Sequence, residues 1–232
     1  MIPLHDDNPT EIRPLVTVGL IVACVLVFLW QVAQGPQGQV AVAYGYGLVP
    51  AVLFDLRELP PGIGGVPPEL TLLTSMFLHG GWAHLIGNML YLWIFGNNVE
   101  DAMGHGRFIL FYLACGVVAA MAQALAAPAS TVPMVGASGA ISGVLGAYLL
   151  LYPWARVMVL IPLGLFSQVV YVPAMMVLGL WFVFQLASAA LSAPGQGGVA
   201  FLAHVGGFVA GMVLLPFFRR RGVRLFHPAR RR

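Results

Sequence analysis

Ser138 stands in Gly136-Ala137-Ser138-Gly139 at the start of one apolar run, and His204 stands in Ala203-His204-Val205-Gly206-Gly207 at the start of another. A hydroxyl becomes a nucleophile at neutral pH only beside a base. An imidazole can take that proton and return it to a leaving amine. A carboxylate usually orients such an imidazole, yet no Asp or Glu follows Asp101. The pair therefore points to a serine nucleophile and a histidine base acting without an acid. His84 and Asn88 lie in a third apolar run, four residues apart and so on one helix face. With the Ser138 backbone N–H, they are candidate donors to the oxyanion of an acyl-transfer intermediate.

The elements that must position these groups are apolar. The chain has 232 residues, is 59% hydrophobic and only 8% charged, and has a mean hydropathy of +0.88. Soluble domains carry about 25% charged residues, so the natural solvent here is lipid. Six candidate spans emerge, at about 15–32, 82–99, 108–127, 135–151, 170–191 and 199–218. The fifth is preceded by an apolar run at 157–165 that is interrupted by Pro162 and Gly164. Helices are expected over strands, because the runs are continuous and a helix satisfies its own backbone hydrogen bonds. The organisation expected is a short N-terminal segment (1–14), one six-span domain (15–218) with a long first loop (about 33–70), and an Arg-rich tail (219–232). The loop holds Pro50, Pro60, Pro61, Pro67 and Pro68 and apolar patches that suit a membrane interface. Asp6, Asp7 and Glu11 precede the first run, unlike the basic start of a cleavable signal, so that run is expected to stay as an anchor. Cys24 and Cys115 sit in apolar runs and read as small core or lipid-facing residues, not as a disulfide framework or metal site.

All eleven basic residues are arginine, and seven of them lie at 219–232: Arg219, Arg220, Arg221, Arg224, Arg230, Arg231 and Arg232. Directly after an apolar span, such a tail suits anionic lipid headgroups better than nucleic acid. With six spans, Arg13, Arg107, Arg156 and the tail share one side, and only Arg57 falls on the other. The positive-inside rule then places both termini in the cytoplasm. His84, Asn88, Ser138 and His204 all fall near the opposite, extracytoplasmic ends of their spans. Gly136, Gly139, Gly143 and Gly146 in the fourth span, with Gly207 and Gly211 in the sixth, would let those two helix backbones approach closely.

Taken singly, Ser138 or Ser142 would be an ordinary small residue in a packing face, and His204 a satisfied interior histidine. Shared depth across three spans is what favours chemistry. His79 reads as structural, bonding loop backbone. Glu100 and Asp101 read as a solvated or capping pair at the cytoplasmic end of the second span. A zinc protease would need a pattern such as His-Glu-x-x-His, and His79 and His84 are five apart with no carboxylate between them. A proton relay would be expected to have acidic partners or paired repeats, and neither is present.

These residues resemble the rhomboid intramembrane serine proteases. The stretch from Thr74-Ser75-Met76 through His84-Leu85-Ile86-Gly87-Asn88 is similar to that family's second-helix motif, ending in His-x-x-x-Asn. Gly136-Ala137-Ser138-Gly139 resembles its Gly-x-Ser-Gly, and Ala203-His204 with Gly207 and Gly211 its Ala-His-x-x-Gly-x-x-x-Gly. Glu100 resembles the acidic residue after its second helix. The resemblance implies an all-α membrane protein, a bundle of six transmembrane helices with a water-accessible cavity below the outer surface. It implies a catalytic pair of Ser138 and His204, with Asn88 and His84 assisting the oxyanion. Transmembrane protein substrates are implied, with no metal and no organic cofactor, and a bacterial inner membrane is the expected location. The alternative is an inactive rhomboid-like protein that binds membrane clients without cutting them. Two departures stand out: the first loop lacks the family's Trp-Arg pair, and Ser142 replaces the ring that some members place four residues after the nucleophile. The support of His204 is then left to another side chain or to Ser142 itself.

Overall fold

A computed structural model describes residues 1–163, 166–191 and 199–226. Gly164, His227 and the last three arginines, Arg230, Arg231 and Arg232, lie outside the described residues. Helices occupy all six expected runs: α1 (Leu15–Ala33), α5 (Trp82–Met103), α6 (His105–Ala126), α7 (Ser138–Leu151), α8 (Ala174–Leu191) and α9 (Phe201–Phe218). By length and composition, α1, α6, α8 and α9 are each able to cross a membrane. The 22-residue α5 is as long but carries Asn88, Asn97, Asn98, Glu100 and Asp101. At 14 residues, α7 is shorter than a span.

α7 forms the centre. It packs against α5, α6, α8 and α9, and every residue from Gly139 to Tyr148 is buried. Glycine makes this possible. A Cβ on Gly207 would fall 2.0 Å from the Gly139 carbonyl oxygen, and one on Gly211 would fall 1.9 Å from that of Gly143. Backbone therefore meets backbone along the α7–α9 seam, with small residues doing in lipid what large ones do in a soluble core.

The long connection between α1 and α5 is packed, not extended. It forms α2 (Gly35–Tyr46), α3 (Pro50–Leu53) and α4 (Thr71–Thr74), with short 3₁₀ turns at Pro68–Leu70 and Ser75–Phe77. Leu48 and Ala51 are fully buried. Leu48 exchanges two backbone hydrogen bonds with Met134, at 3.0 and 2.8 Å, and the Ser75 carbonyl accepts the Gly136 N–H at 2.9 Å. The connection thereby fixes the residues that lead into α7.

The all-α expectation needs correction. Three strands, β1 (Ile2–Asp6), β2 (Arg156–Leu163) and β3 (Phe166–Pro173), form an antiparallel sheet in the order β1-β2-β3. The interrupted run at 157–165 thus lies largely in a strand and not in a helical approach to the fifth span. A short apolar run has no period that separates strand from helix. Length and β-branching decide instead: β2 and β3 have eight residues each, with valines at 157, 159, 169, 170 and 172. Val157 and Val159 are fully buried, while Tyr171 is exposed and receives the Arg156 guanidinium 5.6 Å above its ring.

The N-terminus is anchored beside this sheet by buried polar groups. Pro14 provides no side-chain cap for α1. The buried Glu100 carboxylate takes that role, accepting from the Val16 and Thr17 backbone amides at 2.9 and 2.8 Å and from Thr17 Oγ1 at 2.7 Å. His105 Nδ1 lies 2.5 Å from the same carboxylate. Glu100 thus caps a neighbouring helix and is shielded from solvent; its oxygens are satisfied by donors from two elements. Asp101 accepts from the Glu11 backbone amide at 3.1 Å and pairs with Arg220 at 3.2 Å. Arg107 bonds the Arg219 carbonyl at 3.1 Å, and Arg156 bonds Asp7 at 2.8 Å. These arginines therefore share one end of the molecule with the N-terminal strand.

Asp6 yields a pH prediction. Its buried carboxylate accepts the Tyr148 hydroxyl at 2.6 Å. Burial lifts its pKa from 3.8 to about 6, although Tyr148 and His5 oppose the shift. A raised folded-state value means that the neutral acid is favoured in the fold. Its stabilising contribution is complete below about pH 4 and is lost as pH rises through about 6. Asp6→Asn keeps an acceptor for Tyr148 without the charge. It is expected to unfold at a higher temperature than wild type at pH 7.5, and to match it near pH 4, by thermal unfolding in detergent.

Candidate active site

Four helices bring the chemistry-bearing residues together. Ser138 is the first residue of α7, and His204 lies in the first turn of α9. His84 and Asn88 lie in the first two turns of α5. The glycine seam sets the spacing of α7 and α9, and the Ser138 hydroxyl donates to His204 Nε2 at 2.8 Å. That geometry puts the proton of a neutral imidazole on Nδ1. Nδ1–H in turn donates to Gln185 Oε1 at 2.8 Å, from α8.

A cavity of about 600 Å³ opens over these residues. Its walls include His84, Asn88, Gly136, Ser138, Trp181 and His204, and no Asp or Glu lies among the described residues that line it. Asn88 Nδ2 is buried and has no hydrogen-bond partner among the described residues. The Gly80 backbone N–H donates to His84 Nδ1 at 3.2 Å, so a neutral His84 carries its proton on Nε2. Ser138 heads its helix, and its backbone N–H therefore has no intrahelical acceptor. The residues that line this cavity with Ser138 thus offer three donors: an amide, an imidazole N–H and a backbone N–H.

Gly136 keeps the space between two of them open. Its φ is +133°, and a Cβ there would meet His84 Cε1 at 2.7 Å and Nε2 at 2.8 Å, with Ser138 Oγ at 3.6 Å. Gly136→Ala is expected to push the His84 ring away and fill the space between that ring and Ser138 Oγ. Activity should fall about 10²–10³-fold, the usual cost of one lost donor, and the unfolding temperature should fall as well, because a φ of +133° is strained for alanine. Initial rates normalised to folded protein would test this, and unchanged rates would count against it.

The supporting side chains are now visible. The Ser142 hydroxyl is committed to its own helix, donating to the Ser138 carbonyl at 2.7 Å. The ring against the imidazole is Trp181 on α8, with centroids 5.9 Å apart and planes inclined by 33°. Trp181 and Gln185 are the site residues that the sequence analysis missed. A signal for them existed, because they are four apart and share a helix face, and Gln185 is the one amide in that apolar run. His79 lies outside the Ser138–His204 pairing. Gln31 accepts its backbone N–H at 3.0 Å, and its Nδ1 lies 3.3 Å from the Phe77 carbonyl. Burial, aided by the neighbouring His84, lowers its pKa to about 4 and keeps it neutral.

A family model described as Rhomboid domain matches residues 68–221. The chain belongs to the rhomboid family. Over 78 residues it is 50% identical to Rhomboid protease GluP of Bacillus subtilis (strain 168), a match covering 34% of this chain and 15% of that protein. It is 32% identical over 156 residues to Rhomboid protein 1, mitochondrial, of Saccharomyces cerevisiae, covering 64% of this chain and 41% of the relative. Rhomboid-like protein 11, chloroplastic, of Arabidopsis thaliana is also 32% identical, over 157 residues, covering 64% of this chain and 52% of the relative. The chain spans about half or less of these rhomboid relatives' own lengths. Rhomboid membership and the four long apolar helices make it an integral membrane protein. The relatives' names include mitochondrial and chloroplastic forms beside a bacterial one, so kinship does not select one membrane.

Proposed function

We propose that this rhomboid is an intramembrane serine endopeptidase that cleaves transmembrane segments of membrane proteins. The observation that carries the reading is the 2.8 Å hydrogen bond from the Ser138 hydroxyl to His204 Nε2, inside a cavity walled by apolar helices. Ser138 is the nucleophile, and His204 takes its proton as Oγ attacks a peptide carbonyl. The Asn88 amide, His84 Nε2–H and the Ser138 backbone N–H receive the oxyanion. Imidazolium then protonates the leaving amine, and water, activated by the same imidazole, releases the acyl group. No step in this sequence needs a metal or an organic cofactor.

In this reading the chain crosses the bilayer six times, with both termini in the cytoplasm. The length of α7 then explains how a nucleophile sits below the outer surface. Its 14 residues rise only about 21 Å, against a hydrocarbon core of about 30 Å. With its C-terminal end near the cytoplasmic face, Ser138 lies about 9 Å beneath the opposite one. A helical substrate shields its peptide bonds, so segments with small or helix-breaking residues near the cut are the ones that can unwind to reach it.

A fluorophosphonate probe tests the nucleophile, and a panel of single-span proteins tests the substrate class. Labelling of wild type but not of Ser138→Ala is expected, with cleavage of at least one panel member. Labelling that persists in Ser138→Ala would sink the assignment. Labelling without any cleavage would favour the binding of membrane clients.

A further inference from the structure

We infer that Gln185 is a positioning residue that does for His204 what a carboxylate does in a triad. The inference rests on the protease reading above. A general base must present an unprotonated Nε2 to the serine, so its proton must be held on Nδ1. Gln185 Oε1 accepts that Nδ1–H at 2.8 Å, while Nε2 accepts the Ser138 hydroxyl at 2.8 Å. Both ring nitrogens are thus committed, one to each neighbouring helix. Gln185 is 5% exposed although its helix is largely open to lipid. Trp181 limits tilting of the imidazole from one face, and its ring lies 6.0 Å from Phe208.

An amide suits this location for a physical reason. A carboxylate at membrane depth is costly to insert and must be desolvated. A neutral acceptor fixes the same tautomer and ring orientation without a buried charge. It also leaves less attraction for the imidazolium, as bonds to charged partners are roughly twice as strong as neutral ones. The cavity wall, as far as it is described, offers no acid to take the role. The bond joins α8 to α9 at the reacting imidazole, so the orientation of the base depends on where α8 sits.

The test uses Gln185→Met and Gln185→Glu in the full chain. Methionine keeps the length and apolar bulk but provides only a weak acceptor. Gln185→Met is expected to lower kcat about 10–100-fold with KM unchanged. It should slow fluorophosphonate labelling of Ser138 by a similar factor, with an unfolding temperature close to that of wild type. Gln185→Glu restores an acceptor of the same shape and is expected to recover most of kcat and of the labelling rate. A Gln185→Met protein with wild-type kcat and labelling would overturn the inference while leaving Ser138 and His204 in place. A loss that merely tracks the fraction of unfolded protein, or that appears in KM alone, would overturn it as well. Wild-type protein that neither labels nor cleaves would remove the protease reading and this inference with it.

Discussion

Ser138→Ala is expected to lower cleavage of an accepted substrate by at least about 10⁴-fold, and His204→Ala by a comparable factor. The double variant should be no slower than the slower single one. The hydroxyl and the imidazole share one proton across a 2.8 Å bond. Removing either member therefore removes the same step. What survives is the part that does not use the pair: substrate placement and the oxyanion donors, worth about 10³–10⁴ over water in comparable sites. The stabilities of the two variants should differ. Alanine at 138 takes away one small atom, whereas alanine at 204 leaves Gln185 without its imidazole partner and Trp181 without a neighbour. Rates must therefore be normalised to folded protein. A double variant whose loss equals the product of the two single losses would mean that the residues act in separate steps.

Gly211→Ala is expected to be the most destabilising alanine substitution among the described glycines, costing about 3 kcal/mol. Its Cβ would stand 1.9 Å from the Gly143 carbonyl oxygen, and the obstacle is backbone, which cannot rotate away. Relief requires α9 to move from α7 by more than an ångström, on the order of the misplacement that costs 10²-fold in rate. Activity and stability should therefore fall together. Gly179→Ala provides the control. It lies in α8 with nothing within 4 Å of its would-be Cβ, and alanine is the better helix former. That variant should unfold at or slightly above the wild-type temperature. Detergent unfolding curves for the pair settle the point, and equal curves would contradict the seam argument.

The features that were legible in the sequence are those with a period or a composition of their own. Continuous apolar runs gave helices at each expected position because lipid leaves backbone little alternative. Glycines at 139, 143, 207 and 211 announced a close helix contact, since in an apolar solvent small residues are what packing selects. The hairpin of β2 and β3 was not legible, because eight apolar residues carry no decisive period. Gln185 and Trp181 escaped notice for another reason. Their role depends on which face of α8 meets α9, and uniform hydrophobicity along that helix hides the face. Glu100 could be placed near a helix end from its position alone. That it caps α1, more than 80 residues earlier, follows only from tertiary contact.

The pairing of β1 with β2 also sets a temporal order. Ile2 pairs with Leu160, and Asp6 pairs with Val157. These partners are separated by about 150 residues of chain, including α1 and the whole α5–α7 body. During synthesis, residues 2–6 leave the ribosome long before 157–160 exist, and their unpaired strand edge must wait in that interval. Closing so long a loop is entropically costly until the helices between have packed and brought its ends together. The strand is therefore a late latch on biogenesis: it records that α7 has been inserted, and it can fasten only when the framework that holds Ser138 is already in place.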